Sequence, residues 1–463
     1  MSVSRLFELP ATELLACYRT RDLSPVEVVR AMLARIDAWE PRIHATYGLD
    51  AEAALDAAAA SERRWARGKP QGDLDGVPIT LKENIATRGT PVPLGTASTE
   101  LRPAEHDAPA AARVREAGAV IVTKTTMPDF GLLGAAPSSF HALTRNPWNT
   151  ALNPGGSSSG AGAAAAAGYG PLHMGTDIGG SVRIPANFCG VFGLKPSQGR
   201  IPVDPPAPAR VIGPMTRTVA DAALLMQVVS RPDARDYLSL PPQDIAWQQL
   251  ERSVRGLRIG LWTEAAGQPW SIDAEVLAAV QAAARVFEAA GAIVEPLRDW
   301  TNDEMRLGLR HFFSMRCRVE LASMPAERAA RAAAFVHATA RAADGLGPED
   351  VFRAFTRMQA LGGATAAATR PFDFVLAPVS PMLPFAADAI RSDLAHPGRD
   401  AYFTSLFNQS GQPAAAIRCG QSASGLPIGL QIIGRRFDDL GVLQMSYFYE
   451  QARGPQAAWP EPH

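Results

Sequence analysis

Apolar residues first recur at helical spacing in Val28, Val29, Met32, Leu33 and Ile36, which share one face of a 3.6-residue repeat. Ser24 can cap that helix, Pro25 suits its first turn and Glu27 closes a capping box. Pro41 is expected to stop it. Ala51 to Arg67, rich in alanine and charge, predicts a solvated outer helix. The period then changes. Gly76 to Leu81 is a short apolar strand ending on Lys82, Ala108 to Ala117 is a helix stopped by Gly118, and Ala119 to Val122 is a strand. A loop follows from Thr125 to Leu132, and Ala161 to Ala167 is helical on alanine propensity. The second half repeats the layering. Leu257 to Trp262 is a strand, a helix runs from Asp273 to Ala290 and stops at Gly291, and Ile293 with Val294 starts another strand. Met305 to Arg341 predicts a helical stretch whose Leu307, Phe312, Phe313, Met315, Leu321 and Met324 could line an apolar entrance or pack on their own sheet. Phe374 to Pro378 and Ile428 to Ile433 are buried strands. Strand and helix in alternation predict an α/β fold. Val203 to Ala209, with Pro205, Pro206 and Pro208, predicts an extended, exposed connection and a candidate boundary.

Composition narrows the class. With 463 residues, 47% hydrophobic and 20% charged, the chain can bury a large core and is not disordered. A net charge of -1 gives no global attraction to nucleic acid or anionic membrane, so neither is expected as a partner. Cys17, Cys189, Cys317 and Cys419 are scattered, which argues against a zinc ribbon and a disulfide framework. No cofactor or metal is expected. Met1 to Arg5 leads into no apolar signal core, and no run of about 18 apolar residues occurs; the cytoplasm is the expected location.

The chemistry concentrates between Asn153 and Pro196. Asn153-Pro154-Gly155-Gly156-Ser157-Ser158-Ser159-Gly160 precedes the alanine helix, and Gly175-Thr176-Asp177-Ile178-Gly179-Gly180-Ser181-Val182-Arg183-Ile184-Pro185 follows it. Glycines permit positive φ and close backbone approach to a ligand, so two such loops can bring serines and N–H donors together. Upstream, Lys82 ends an apolar strand, where lysine is unusual without a partner and otherwise snorkels. None of the eight histidines sits in a hydrolase motif, there is no Gly-x-Ser-x-Gly elbow with matching partners, and His-Glu-x-x-His is missing. A nucleotide-binding reading of Gly155 to Gly162 rivals hydrolysis, although the loop lacks the Gly-Lys-Ser/Thr ending of a P-loop.

In order, the Gly-Gly-Ser-Ser-x-Gly loop, the Gly-x-Asp-x-Gly-Gly-Ser-x-Arg-x-Pro loop and Gly193-Leu194-Lys195-Pro196 resemble the amidase signature family of serine hydrolases. Gly76 to Asn84 resembles its lysine strand, with Glu83 where Asp is more usual; Gly213 to Asp221 and Gly425 to Gln431 match as well. The resemblance implies a mixed central β-sheet covered by helices on both faces, in one domain over residues 1–463. The weaker match from about 262 to 371 is expected to cover the substrate site. Residue by residue, it implies Ser181 as nucleophile, Ser157 as a relay on a cis peptide and Lys82 as general base. The N–H groups of Ile178, Gly179 and Gly180 would form the oxyanion hole, Phe130, Gly131 and Leu132 the substrate wall, and Ser158, Asp177 and Arg183 would fix the loops. The implied substrate is a small amide, a carbamate or an ester. The family also contains the glutamine-cleaving subunit of a tRNA-dependent amidotransferase, but Ala401 falls where that subunit would carry an acid. Substrate and oligomeric state stay open, a homodimer included.

Overall fold

A computed structural model of the chain describes residues 3–462. Its strands are β1 (Thr46–Tyr47), β2 (Pro78–Lys82), β3 (Val120–Thr125), β4 (Leu172–Asp177), β5 (Phe192–Lys195), β6 (Val211–Thr216), β7 (Arg258–Leu261), β8 (Ile293–Pro296), β9 (Phe374–Pro378), β10 (Ala414–Gln421) and β11 (Pro427–Gly434). All eleven join one mixed sheet in the order β1-β3-β2-β4-β6-β5-β10-β11-β9-β7-β8. The helices are α1 (Ala11–Thr20), α2 (Pro25–Ile43), α3 (Ala51–Ala66), α4 (Pro109–Glu116), α5 (Ser159–Ala167), α6 (Arg183–Cys189) and α7 (Val219–Val229). They continue with α8 (Ala274–Ala289), α9 (Asp303–Ala322), α10 (Ala326–Ala329), α11 (Ala334–Arg341), α12 (Pro348–Thr369), α13 (Leu406–Gln409) and α14 (Asp439–Ala452).

The central strands β2, β4, β5, β6, β9 and β11 are buried on both faces, and alternate residues serve different layers. Phe374, Leu376, Leu430 and Ile432 join a cluster with Leu225 of α7, Phe287 of α8 and Leu443 of α14. Their neighbours Val375, Ala377 and Ile433 face a second cluster with Leu361 of α12 and Phe407 of α13. Val120 and Val122 of β3 pack on Ala163, Ala164 and Ala167 of α5 and on Trp39 of α2. This is the mixed sheet with helices on both faces that the motifs imply.

Local expectations fail where tertiary contacts intervene. The capping box at Ser24 and Glu27 is present, but Pro41 lies inside α2, which continues to Ile43. A proline in the last turn removes little of the hydrogen-bond ladder, and buried Trp39 and Ile43 hold that turn against the core. The Met305–Arg341 stretch is three helices. Pro325 interrupts it by lacking an N–H and disfavouring helix at Met324, and the Ala333 N–H leaves the helical ladder for the Asp129 carboxylate at 3.0 Å. α3 is not wholly solvated: Ala54, Ala58 and Ser61 are buried. The Val203–Ala209 segment is not a boundary between sheets, because β5 pairs with both β6 and β10 and ties the two halves together.

Helix α5 sits at the centre and has no exposed residue. A Cβ at Gly160 would lie 2.2 Å from the Ala45 carbonyl oxygen and 2.4 Å from the Thr126 nitrogen. Gly160→Ala should therefore force the helix away from β3 and lower stability by about 3 kcal/mol. Urea unfolding should read this as a lower midpoint with an unchanged slope.

Candidate active site

Strands β2 and β4 run parallel, with Leu81 beside Met174, so Lys82 and Thr176 end next to each other. Ligand sites in α/β sheets commonly lie beyond such carboxyl ends. Lys82 is fully buried, and snorkelling is ruled out. Its Nζ lies 2.7 Å from Ser157 Oγ, 2.9 Å from Thr176 Oγ1 and 3.1 Å from Ser158 Oγ. Burial lowers the Lys82 pKa to about 7, against the opposing charges of Asp177 and Glu83 and with help from Arg210. Glu83 is itself buried, with His141 Nε2 at 3.1 Å from its carboxylate.

The two serine loops meet above this lysine. Ser157 follows a cis peptide bond, and Ser158 stands at the N-terminal boundary of α5 without a side-chain capping bond. The Ser158 N–H donates to the Ser181 carbonyl at 3.2 Å, so the loops are joined through backbone. Ser157 and Ser181 open on one cavity of about 290 Å³, together with Phe130, Gly131, Thr176 and Ile178. Among the described residues no hydrogen bond joins the two hydroxyls directly. Such bonds are often long before substrate binds.

Asp177 organises the second loop. Its carboxylate accepts from Gly180 N at 2.7 Å and Val182 N at 3.1 Å, and from both Arg183 Nε and Nη2 at 3.0 Å. Burial opposes its charge, but Arg183 and Asn408 hold its pKa well below the usual carboxylate range. Arg183 also donates to the Thr404 carbonyl, Gln431 and Asn408. The Gly180 N–H is therefore engaged within the loop rather than aimed at a ligand. Backbone N–H groups of Ile178, Gly179 and Ser181 have no acceptor among the described residues, and Gly179 borders open space.

Other expectations divide. Phe130 (φ 52°) and Gly131 (φ 66°) line the cavity, and a Cβ at Gly131 would press within 3.2 Å of Ser157 Oγ. Leu132 does not line it; it packs with Leu133 and Phe335 in an outer apolar cluster. The glycines at 155, 156, 160 and 162 each leave under 3 Å for a Cβ against protein atoms. Packing against protein accounts for these glycines without a bound phosphate. Sequence reading missed Asn84, Arg210, Arg316 and Glu320, and although Pro205 and Pro208 are exposed as expected, it did not foresee that residues 205–208 line the cavity. Asn84 was legible, since it closes the lysine-strand motif; Arg210 and Arg316 carry no local signal.

Removing Arg183 tests the loop's anchorage. Arg183→Met leaves Asp177 buried without its cation and should lower stability at neutral pH by about 3–5 kcal/mol. Because a depressed carboxylate stabilises only while ionised, the difference from wild type should shrink only in strong acid. Urea midpoints across pH measure both.

A family profile described as Amidase matches residues 27–443. A glutamyl-tRNA(Gln) amidotransferase subunit of Synechococcus sp. (strain CC9605) is 33% identical over 95% of each chain. The corresponding amidotransferase subunit of Myxococcus xanthus (strain DK1622) is 34% identical over 96% of this chain and 98% of its own. A bacterial aryl acylamidase of the amidase signature family superposes with a TM-score of 0.88 at 30% identity over 96% of both chains. Peptide amidase from Stenotrophomonas maltophilia does so at 0.83 and 27% identity over 98% of both. No helix of the described residues is long and apolar enough to cross a membrane. A profile spanning both serine loops and the lysine strand, on a superposable fold, shows that the chain belongs to the amidase signature family and is an amidohydrolase of carbon–nitrogen bonds other than peptide bonds.

Proposed function

We propose that the chain is a serine amidase in which Ser181 is acylated, Ser157 relays the proton and Lys82 is the general base. The observation that carries this reading is the buried contact of Lys82 Nζ with Ser157 Oγ at 2.7 Å, beside a cavity that also holds Ser181. Donor counting orients it. Ser158 Oγ–H is engaged by the Thr176 carbonyl at 3.2 Å, so Ser158 accepts from Lys82. Thr176 Oγ1 accepts from Lys82 and from Asn84 at 3.1 Å. A neutral amine has two N–H donors and one lone pair, and in the proposed relay Ser157 donates to that lone pair while Ser158 and Thr176 accept.

When substrate enters, Ser181 Oγ attacks the amide carbon as its proton passes to Ser157 and Ser157's proton to Lys82. The N–H groups of Ile178, Gly179 and Ser181 stabilise the oxyanion. Gly180 contributes by its φ of 133°, which turns the loop while its N–H holds Asp177. The relay then runs backwards: Lys82 returns a proton through Ser157 to the departing nitrogen. Water, deprotonated the same way, releases the acid and restores Ser181. The small cavity and Phe130 suit a small amide with an apolar acyl or aryl part; carbamates and esters fit the same chemistry.

A second reading has its own support, because the curated relatives above are named as amidotransferase subunits. Two local features weigh against it. Ala401 offers no acid, and the neighbouring Asp400 is buried and bound to Ser392. Free glutamine hydrolysed faster than aryl amides would favour that reading.

Ser181→Ala should abolish labelling by a fluorophosphonate and nearly all turnover; normal labelling of the folded variant would sink the nucleophile assignment. Because Lys82 must be neutral to accept a proton, kcat/KM for amides should rise with pH through about 7. Lys82→Arg, charged at any working pH, should lose amide hydrolysis by about 10²–10⁴-fold. Near-wild-type rates for a folded Lys82→Arg protein would remove the base role.

A further inference from the structure

Arg210 lines the same cavity as Ser157 and Ser181, yet the proton relay gives its guanidinium no partner. It donates to the Pro205 carbonyl, while its Nε is buried without an acceptor. Asp236 and Asp204 influence it only from beyond ion-pair distance. Arg316 of α9 reaches the cavity from the opposite half of the chain. It donates to the Phe130 carbonyl at 3.1 Å, and its Nε stands 3.9 Å from Glu320, the one carboxylate of the lining. Two guanidiniums thus face one carboxylate. Burial and the charge of Arg316 both disfavour the Arg210 cation. A partly dry cation with an unsatisfied N–H is stabilised when an anion supplies the missing acceptor.

We propose that the substrate carries a carboxylate, placed a few bonds from the carbon attacked by Ser181 and bound by Arg210 with Arg316 beside it. This rests on the Ser181 reading above. Guanidinium matches a carboxylate in charge and planar geometry, and the contact forms where Glu320 already neutralises part of Arg316 but no carboxylate among the described residues pairs with Arg210, whose Nε lacks an acceptor. A carboxylate there would relieve the repulsion between the two arginines. It would also select small acidic amides, such as half-amides of dicarboxylic acids or acylated amino acids, over neutral ones of the same shape.

The test uses two fluorophosphonates of equal length, one ending in a carboxylate and the other in its methyl ester, on the whole chain. Labelling of Ser181 is followed by intact mass. The carboxylate probe should label at least about tenfold faster, the range of a hydrogen bond to a charged group, and added salt should reduce the ratio. Arg210→Gln should bring the ratio close to one, Arg210→Lys should restore part of it, and Arg316→Gln should lower it less than Arg210→Gln does. Equal labelling of wild type by the two probes overturns the carboxylate proposal and leaves the serine mechanism standing. So does an Arg210→Gln protein that slows both probes alike. Failure of both probes on folded wild type removes the Ser181 reading, and this proposal with it.

Discussion

A lysine held out of water is the constraint on which the rest of the site depends. In solvent Lys82 would be an ammonium ion, unable to take a proton. At the end of β2, with no exposure, burial brings its pKa to about 7. Ser157, Ser158 and Thr176 supply hydrogen bonds without supplying charge. That balance needs β4 beside β2 and the N-terminus of α5 above both. The packing that makes α5 fully buried is therefore also what sets the proton affinity of the lysine.

Opposite the lysine, charge is used differently. Asp177 and Arg183 are both fully buried, and their pairing is surrounded by further acceptors and donors from residues 404, 408 and 431. A buried ion pair is a poor source of net stability compared with apolar packing. What this one does is fix a loop. Its carboxylate holds the Gly180 and Val182 N–H groups, which leaves those of Ile178, Gly179 and Ser181 free beside the cavity. Segments more than two hundred residues apart thereby determine where a few backbone donors stand.

The two halves of the chain contribute unequally to the cavity. The first supplies the lysine strand, both serine loops and the proline segment. The second supplies one wall, through Phe312, Arg316 and Glu320 of α9. In the function proposed above, chemistry belongs to an interior built around the sheet and selectivity to the helical layer that forms the other wall. Changes in α9 can alter what enters without disturbing the buried bonds of Lys82 or Asp177.

The α/β layering, the start of α2 at its capping box, and the residues of both serine loops and the lysine strand are legible in the order of residues alone. Those features are local: a cap, a period or a glycine motif acts over a few residues. Sequence reading misjudged Pro41, the break at Pro325 and the proline segment as a boundary, because burial of Trp39 and Ile43, the Asp129 bond to Ala333 and the pairing of β5 with β6 and β10 are contacts between distant parts. Gly180 as a ligand donor and Leu132 as part of the wall likewise depended on partners that no local pattern reveals. That Lys82 is fully buried, that Gly160 must lack a side chain, and that Arg210 and Arg316 face one cavity follow from long-range packing. Burial and ion-pair geometry are properties of the assembled sheet and its helices, and a chain read one residue at a time does not contain them.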